Sequence, residues 1–149
     1  MHLLVAAASG WGKGYIAQIL ADRNIRGDRY DRVVVLDTSN EFRGLVLPRY
    51  GPAPASHWSV RSKEHHCWTS SEWGALVEDT DPALVLGRAV PKAQCREACA
   101  NIILGCRRSD LDVLVVVDEA HGVAPQREGY PKAIRELATD GRTEGGSAT

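Results

Sequence analysis

The segment Leu111-Asp112-Val113-Leu114-Val115-Val116-Val117-Asp118-Glu119-Ala120-His121 contains an apolar run that ends at two acids. A run of Val and Leu without polar alternation is typical of a strand that is buried on both faces. Residues 2–7 form a second apolar run, which opens onto the glycine-rich segment 8–14. The two segments predict two buried strands, each of which leads into a polar cluster.

Further apolar runs predict two more strands, Val33–Leu36, which ends at Asp37, and Ala83–Leu86. Residues 48–54 are rich in Pro and Gly and predict a loop, while 56–69 is compatible with a short edge strand and a loop. Helices are predicted from Tyr15 to about Arg23, from Ser70 or Ser71 as the capping residue, from Pro91 to about Arg107, and from Pro131 to near Gly141. This alternation predicts one α/β domain over residues 1–149, with a mostly parallel sheet covered by helices on both faces.

Composition and charge exclude several classes of protein. The chain has 149 residues, 44% of them hydrophobic and 25% charged, and a net charge of −1, so the overall charge gives no indication of a nucleic-acid-binding protein. No apolar run approaches the roughly 20 residues of a membrane helix, and the N-terminus has no signal-peptide pattern. We therefore expect a cytoplasmic protein without a membrane segment.

The four cysteines fit a reducing compartment. Cys95 and Cys99 are four residues apart in a predicted helix, and Cys106 follows two turns later. With Cys67 and the His65-His66 pair they allow a zinc site as an alternative, but no close C-x-x-C pair is present. Buried or inert thiols are the favoured interpretation, and a structural disulfide is the least favoured.

The glycine-rich segment resembles a phosphate-binding loop, which is written G-x-x-x-x-G-K-[ST] between a strand and a helix. Ala7 takes the place of the first glycine, Gly12 and Lys13 match, and Gly14 replaces the Ser or Thr whose hydroxyl usually ligates Mg²⁺. Successive backbone N–H groups and the helix N-terminus favour an anion, and Lys13 would reach the outer phosphates. The predicted nucleotide-binding residues are Ala8, Ser9, Gly10, Trp11, Gly12, Lys13, Gly14 and Tyr15.

Two alternatives to a phosphate-binding loop stay open. One is a glycine-rich strand-to-helix turn without a ligand. The other is a dinucleotide site, for which Asp37 resembles the ribose-binding acid about 20 residues after the loop. The G-x-G-x-x-G pattern is absent in register, and Lys13 within the loop argues against this second alternative.

The acids at the end of the 111–117 run predict a metal site. Asp118 would lie at the carboxyl edge of the sheet and hold Mg²⁺, directly or through water. Glu119 would polarise a water for attack on the γ-phosphate. His121 either senses the nucleotide or packs, and Arg142 is a candidate for stabilising charge during phosphoryl transfer. Lys13, Glu119 and Arg142 are thus the predicted catalytic residues, with ATP and Mg²⁺ as cofactors.

Three segments resemble one family. Val117–Pro125 is similar to the D-E-A-H-x-x-x-P Walker B segment of HerA/FtsK-type ATPases, and Ile134–Arg142 to the following helix, which ends in a Gly-Arg pair. Leu36–Phe42 resembles the second strand of the family, which carries an acid and then a Glu-aromatic pair. The three segments and the loop occur in the family order.

The resemblance implies a RecA-like P-loop ATPase core, usually a hexameric ring that moves double-stranded DNA during segregation, end resection, conjugation or viral genome packaging. It also implies functional roles for Asp37, Glu119 and Arg142, and we expect Asp37 to bind the nucleotide together with residues 8–15. In the family, a strand with a polar sensor residue follows the Gly-Arg helix and lies between the P-loop and Walker B strands. The chain stops before such a strand and begins without the small barrel domain of the family, so we expect a truncated core.

Three other functions remain possible from the sequence. The first is a nucleotide-binding module with weak or no hydrolysis that acts as a switch or assembly part, which Gly14 favours. The second is a P-loop small-molecule kinase, although no arginine-rich lid is evident. The third is a parallel-sheet scaffold without enzymatic activity.

Overall fold

A computed structural model describes residues 12–27, 29–46, 55–60, 67–88 and 92–118. The described elements are α1 (Lys13–Arg26), β1 (Arg32–Asp37), a 3-10 turn (Phe42–Leu45), β2 (Ser56–Val60), α2 (Ser70–Asp79), β3 (Ala83–Arg88), α3 (Lys92–Arg108) and β4 (Val113–Val117). The strands predicted at 33–36 and 83–86 and the edge strand after residue 55 are confirmed. The predicted strand 2–7, the loop 48–54 and the helix 131–141 lie outside the described residues.

The four strands form one parallel sheet in the order β2-β3-β1-β4. β1 lies between two neighbours, with Val34 opposite Leu84 of β3 and opposite Val115 of β4. All five residues from Val33 to Asp37 are buried. The unbroken apolar run of β1 therefore reflects burial on both faces, as predicted.

Helices cover both faces of the sheet, because successive side chains of a strand point to opposite sides. Val33 and Val35 pack in a cluster with Ala21 and Ile25 of α1. Val34 and Leu36 pack in a second cluster, to which Trp73 of α2 and Ile102 of α3 belong. The predicted α/β architecture with a parallel sheet and helices on both faces is thus confirmed for the described part of the chain.

Two element boundaries differ from the predictions because tertiary contacts override local polarity. α1 continues beyond Arg23 to Arg26, since Ile25 is buried against the sheet and supports another turn. β4 begins at Val113, two residues after the predicted start. The backbone N–H and C=O of Asp112 are instead bonded to Asp31, at the turn that precedes β1.

The cap of α2 is Thr69, and the prediction of Ser70 or Ser71 is wrong. The Thr69 hydroxyl accepts from the N–H of Glu72 at 3.3 Å, and the Glu72 carboxylate accepts from the N–H of Thr69 at 2.7 Å. This reciprocal pair is a capping box, which requires the acid exactly three residues after the cap. Glu72 lies at that spacing only from Thr69.

Three of the four cysteines, Cys95, Cys99 and Cys106, are buried in the core on α3, as predicted, while Cys67 is exposed. Burial raises the pKa of the Cys106 thiol to about 12, which keeps it protonated and unreactive. Within the described ranges, no three His, Cys, Asp or Glu side chains are grouped as a metal would require, and His65 and His66 lie outside those ranges. Nor does any described helix combine the length and apolarity needed to cross a bilayer.

α2 and α3 approach each other at two glycines, Gly74 and Gly105. A Cβ at Gly105 would lie 2.5 Å from Ser70 O and 2.8 Å from Gly74 N, both of them backbone atoms. A Cβ at Gly74 would meet its nearest atom at 3.4 Å, which is close to an ordinary contact distance. Although the two glycines face each other, the structure has space for a Cβ atom at Gly74 and not at Gly105.

We expect Gly105→Ala to lower the free energy of unfolding by about 1–3 kcal/mol, because backbone atoms cannot yield as a flexible side chain does. The alanine gains roughly 0.5–1 kcal/mol of helix propensity, which is too little to compensate. Gly74→Ala is the matched control and should be neutral or slightly stabilising. Urea denaturation of both variants measures the difference, and equal stabilities would contradict this account of the helix contact.

Candidate nucleotide site

The candidate site lies at the carboxyl edge of the sheet, where β1 and β4 end side by side. Asp37 is the last residue of β1, and Asp118 follows β4 directly. The N–H of Asp118 donates to Leu36 O at 3.1 Å, which continues the pairing of the two strands to this edge. The predicted metal ligand and the predicted acid of the second strand are thus neighbours.

Asp37 is a buried acid that holds the turn after β1. Its side chain is 2% exposed, and its two oxygens accept from the backbone N–H groups of Glu41 and Phe42 at 2.9 and 3.1 Å. Burial raises the pKa of Asp37, the N–H donors oppose that rise, and the nearby Asp118 carboxylate adds to it. Both oxygens are engaged by the backbone, so Asp37 organises the site, while its direct contact with a nucleotide stays a prediction.

Asp118 is held by the segment that follows β1. Ser39 donates a hydrogen bond from its hydroxyl to Asp118 Oδ2, and the Thr38 hydroxyl donates to Asp118 O at 3.1 Å. Asp118 is partly exposed, so its carboxylate is both oriented and open to solvent. A carboxylate with these properties suits a magnesium ion, which binds through few protein oxygens and retains water.

The N-terminus of α1 lies at the same edge. Gln18 donates from its side-chain amide to Glu41 O at 3.0 Å, and a Cβ at Gly14 would lie 2.9 Å from Glu41 Oε2. Glu41 is also the residue whose N–H is bound by Asp37. A continuous set of contacts thus joins the predicted phosphate-binding segment to the acids at the ends of β1 and β4.

The first turn of α1 follows a glycine. Gly12 precedes the helix with φ 75° and ψ 19°, a left-handed conformation that favours glycine. Gly12 makes no side-chain capping bond, and no acid occurs in the first turn. The dipole of a helix favours a negatively charged group at its N-terminus.

Among the predicted site residues, Gly12, Lys13 and Gly14 form this helix start, and Tyr15 follows with 70% of its side chain exposed. The predicted residues Ala8, Ser9, Gly10, Trp11, Glu119 and Arg142, together with His121, lie outside the described residues. The described members, with Asp37 and Asp118, belong to one edge of the sheet.

The sequence predictions did not assign Thr38, Ser39 or Glu41 to the site. The signal was the run of hydroxyl and amide residues directly after Asp37, a position at which an open α/β sheet binds ligands. Their partners are distant in sequence: Ser39 and Asp118 are 79 residues apart. The pairing of β1 with β4 brings Thr38 and Ser39 to Asp118, whereas Glu41 contacts Asp37 and Gln18.

Comparisons with known proteins assign no relative: no family model matches the chain, and neither a curated protein nor a solved structure matches it significantly. The residues at this edge and the sequence motifs are therefore the basis for inferring a function.

We expect Asp37→Ala to lower the free energy of unfolding by about 1–3 kcal/mol, because it leaves the buried N–H of Phe42 without an acceptor. Asp37→Asn should cost less, since the amide retains one acceptor oxygen and removes a buried charge near Asp118. Urea denaturation at neutral pH checks this order. An alanine variant as stable as wild type would show that the carboxylate does not hold the turn.

Proposed function

We propose that this chain is the ATP-binding and ATP-hydrolysing module of a DNA-translocating motor of the HerA/FtsK type, with a RecA-like core. One observation carries the nucleotide part: the start of α1 lies beside Glu41, and Asp118 is held by Ser39, so both adjoin the turn that follows β1 at one edge of a parallel sheet. The motor part, including double-stranded DNA as partner and a homo-oligomeric, hexameric state, rests on the resemblance of Val117–Pro125 and Ile134–Arg142.

The proposed roles follow the chemistry of each group. The N–H groups at the start of α1 and the Lys13 ammonium hold the phosphates, and Asp118 holds Mg²⁺. Glu119, the next residue in the chain, polarises the attacking water, and Arg142 stabilises charge on the transferred phosphoryl group. Bound magnesium supplies neutralisation of the phosphate charge.

The described residues include groups that could bind a phosphate and a magnesium ion. The helix start offers positive partial charge, and the Glu41 carboxylate lies beside Gly14. Asp118 offers an oxygen ligand whose orientation is set by Ser39. These features favour a phosphate and metal site over a scaffold without a ligand.

A second candidate function is a nucleotide-dependent switch that hydrolyses ATP weakly. Gly14 favours it, because the hydroxyl that usually ligates the metal is missing at this position. Dependence of turnover on DNA separates the two functions: a motor should hydrolyse ATP faster when DNA is bound. The small-molecule kinase stays a prediction that phosphate transfer to an acceptor would test.

We expect Lys13→Ala to weaken ATP binding roughly 10- to 100-fold, since a charge-assisted hydrogen bond contributes about 1.5–3 kcal/mol. Arg26→Ala is the matched control, because it removes an exposed positive charge at the opposite end of α1. Calorimetric titration with ATP and Mg²⁺, and the thermal shift caused by ATP, measure the effect. A scaffold without nucleotide binding predicts no thermal shift in the wild type or in either variant.

We expect Asp118→Asn to lower DNA-stimulated ATP hydrolysis at least about tenfold, because the amide is a poor metal ligand but still accepts from Ser39. Asp112→Asn changes the same charge at the opposite end of β4 and should hydrolyse ATP as wild type does. Phosphate release with and without double-stranded DNA is the measurement. If the wild-type chain hydrolyses ATP at the same rate with and without DNA, the motor function is rejected and the nucleotide-dependent switch remains.

A further inference from the structure

Gly14 occupies the position at which a P-loop usually carries a serine or threonine for the metal. In this chain, a Cβ at Gly14 would lie 2.9 Å from Glu41 Oε2, closer than real Cβ atoms approach other atoms. A serine hydroxyl would lie one bond beyond that Cβ, so the Glu41 carboxylate lies beside the place of the missing hydroxyl. We infer that Glu41 supplies the metal-binding oxygen that Gly14 lacks, for a magnesium ion bound with a nucleoside triphosphate.

The backbone of Glu41 is fixed from two sides. Its N–H donates to Asp37 Oδ1 at 2.9 Å, and its C=O accepts from the Gln18 amide at 3.0 Å. Asn40, just before it, has φ 62°, a left-handed conformation that turns the chain at this point. Because β1 and α1 both bind Glu41, its carboxylate is placed at the start of α1, and Asp37 and Gln18 act as positioning residues.

A purely structural role for Glu41 makes different predictions from a metal ligand. A carboxylate near a helix N-terminus stabilises the helix through its dipole. If that were its whole role, neutralising Glu41 would lower stability and leave the magnesium dependence of ATP binding unchanged. A ligand role requires the magnesium dependence itself to change, because a carboxylate without metal repels the phosphates.

The inference rests on the proposed function, since it assigns a ligand within the same nucleotide site. The test is the ratio of ATP affinities in Mg²⁺ and in EDTA, measured by calorimetry on the full chain. In Glu41→Gln this ratio should fall at least about tenfold, with weaker binding in Mg²⁺ and tighter binding in EDTA. Glu97→Gln, an exposed charge on α3, is the matched control and should keep the wild-type ratio.

A double variant restores a hydroxyl oxygen at position 14, where a P-loop usually carries Ser or Thr. Gly14→Ser combined with Glu41→Ala supplies a hydroxyl on α1 and removes the carboxylate that would collide with the new Cβ. This variant should recover the magnesium dependence that Glu41→Ala alone loses. Electron paramagnetic resonance of Mn²⁺ with ATP gives a readout independent of hydrolysis: bound Mn²⁺ should decrease in Glu41→Gln and return in the double variant.

The outcomes separate the inference from the function on which it rests. A wild-type chain that binds ATP neither in Mg²⁺ nor in EDTA would reject the nucleotide site as a whole. A wild type that binds ATP, together with an unchanged ratio in Glu41→Gln, would overturn the role of Glu41 alone. If Glu41→Gln does not fold, the double variant decides, and loss of magnesium dependence in it overturns the inference.

Discussion

The structure depends on the burial of β1 between two parallel neighbours. β3 and β4 take both of its edges, and two hydrophobic clusters take its two faces. A strand enclosed in this way has one register, because a shift by one residue would exchange its two sets of side chains. The carboxyl end of β1, at which the candidate site lies, is consequently held in a defined position.

The buried carboxylate of Asp37 also holds the following turn in position. A carboxylate at 2% exposure is costly unless donors satisfy it, and two backbone N–H groups do so. The same bonds fix Glu41 beside α1, while Ser39 and Thr38 in the same turn bind Asp118. One short segment thus positions groups from three elements, which explains why polar residues are concentrated immediately after this strand.

Much of this fold was predictable because the pattern of hydrophobic residues in the sequence indicates which segments are buried. The run Val33–Leu36 indicated a fully buried strand, and alternation with helical segments indicated a parallel sheet. The spacing of Thr69 and Glu72 in the sequence is that of a capping box, which indicates Thr69 as the cap of α2. The neighbouring serines, however, are equally suitable capping residues by type. The end of α1 was harder to predict from the sequence. Ile25 is flanked by polar residues, so the pattern did not indicate the buried contact that extends the helix.

The candidate site was predictable in its motifs and not in its contacts. Lys13, Asp37 and Asp118 were recognisable from their positions after or before apolar runs, and the structure brings the helix start and both acids to one edge. The contact between Gly14 and Glu41 joins residues 27 positions apart in sequence, and nothing in either residue alone indicates it. Gly14 stands where a P-loop usually carries Ser or Thr, and the proximity of Glu41 to this position is known only from the fold.

The acids at this edge affect how the proposed ATP would bind. Asp37, Glu41 and Asp118 are three acids in one region, and the polyphosphate that we propose as ligand adds further negative charge. Lys13 and the dipole of α1 supply less positive charge than this. A divalent cation bound with the phosphates would offset that repulsion, so under the proposed function ATP and metal should bind together and each should bind weakly alone.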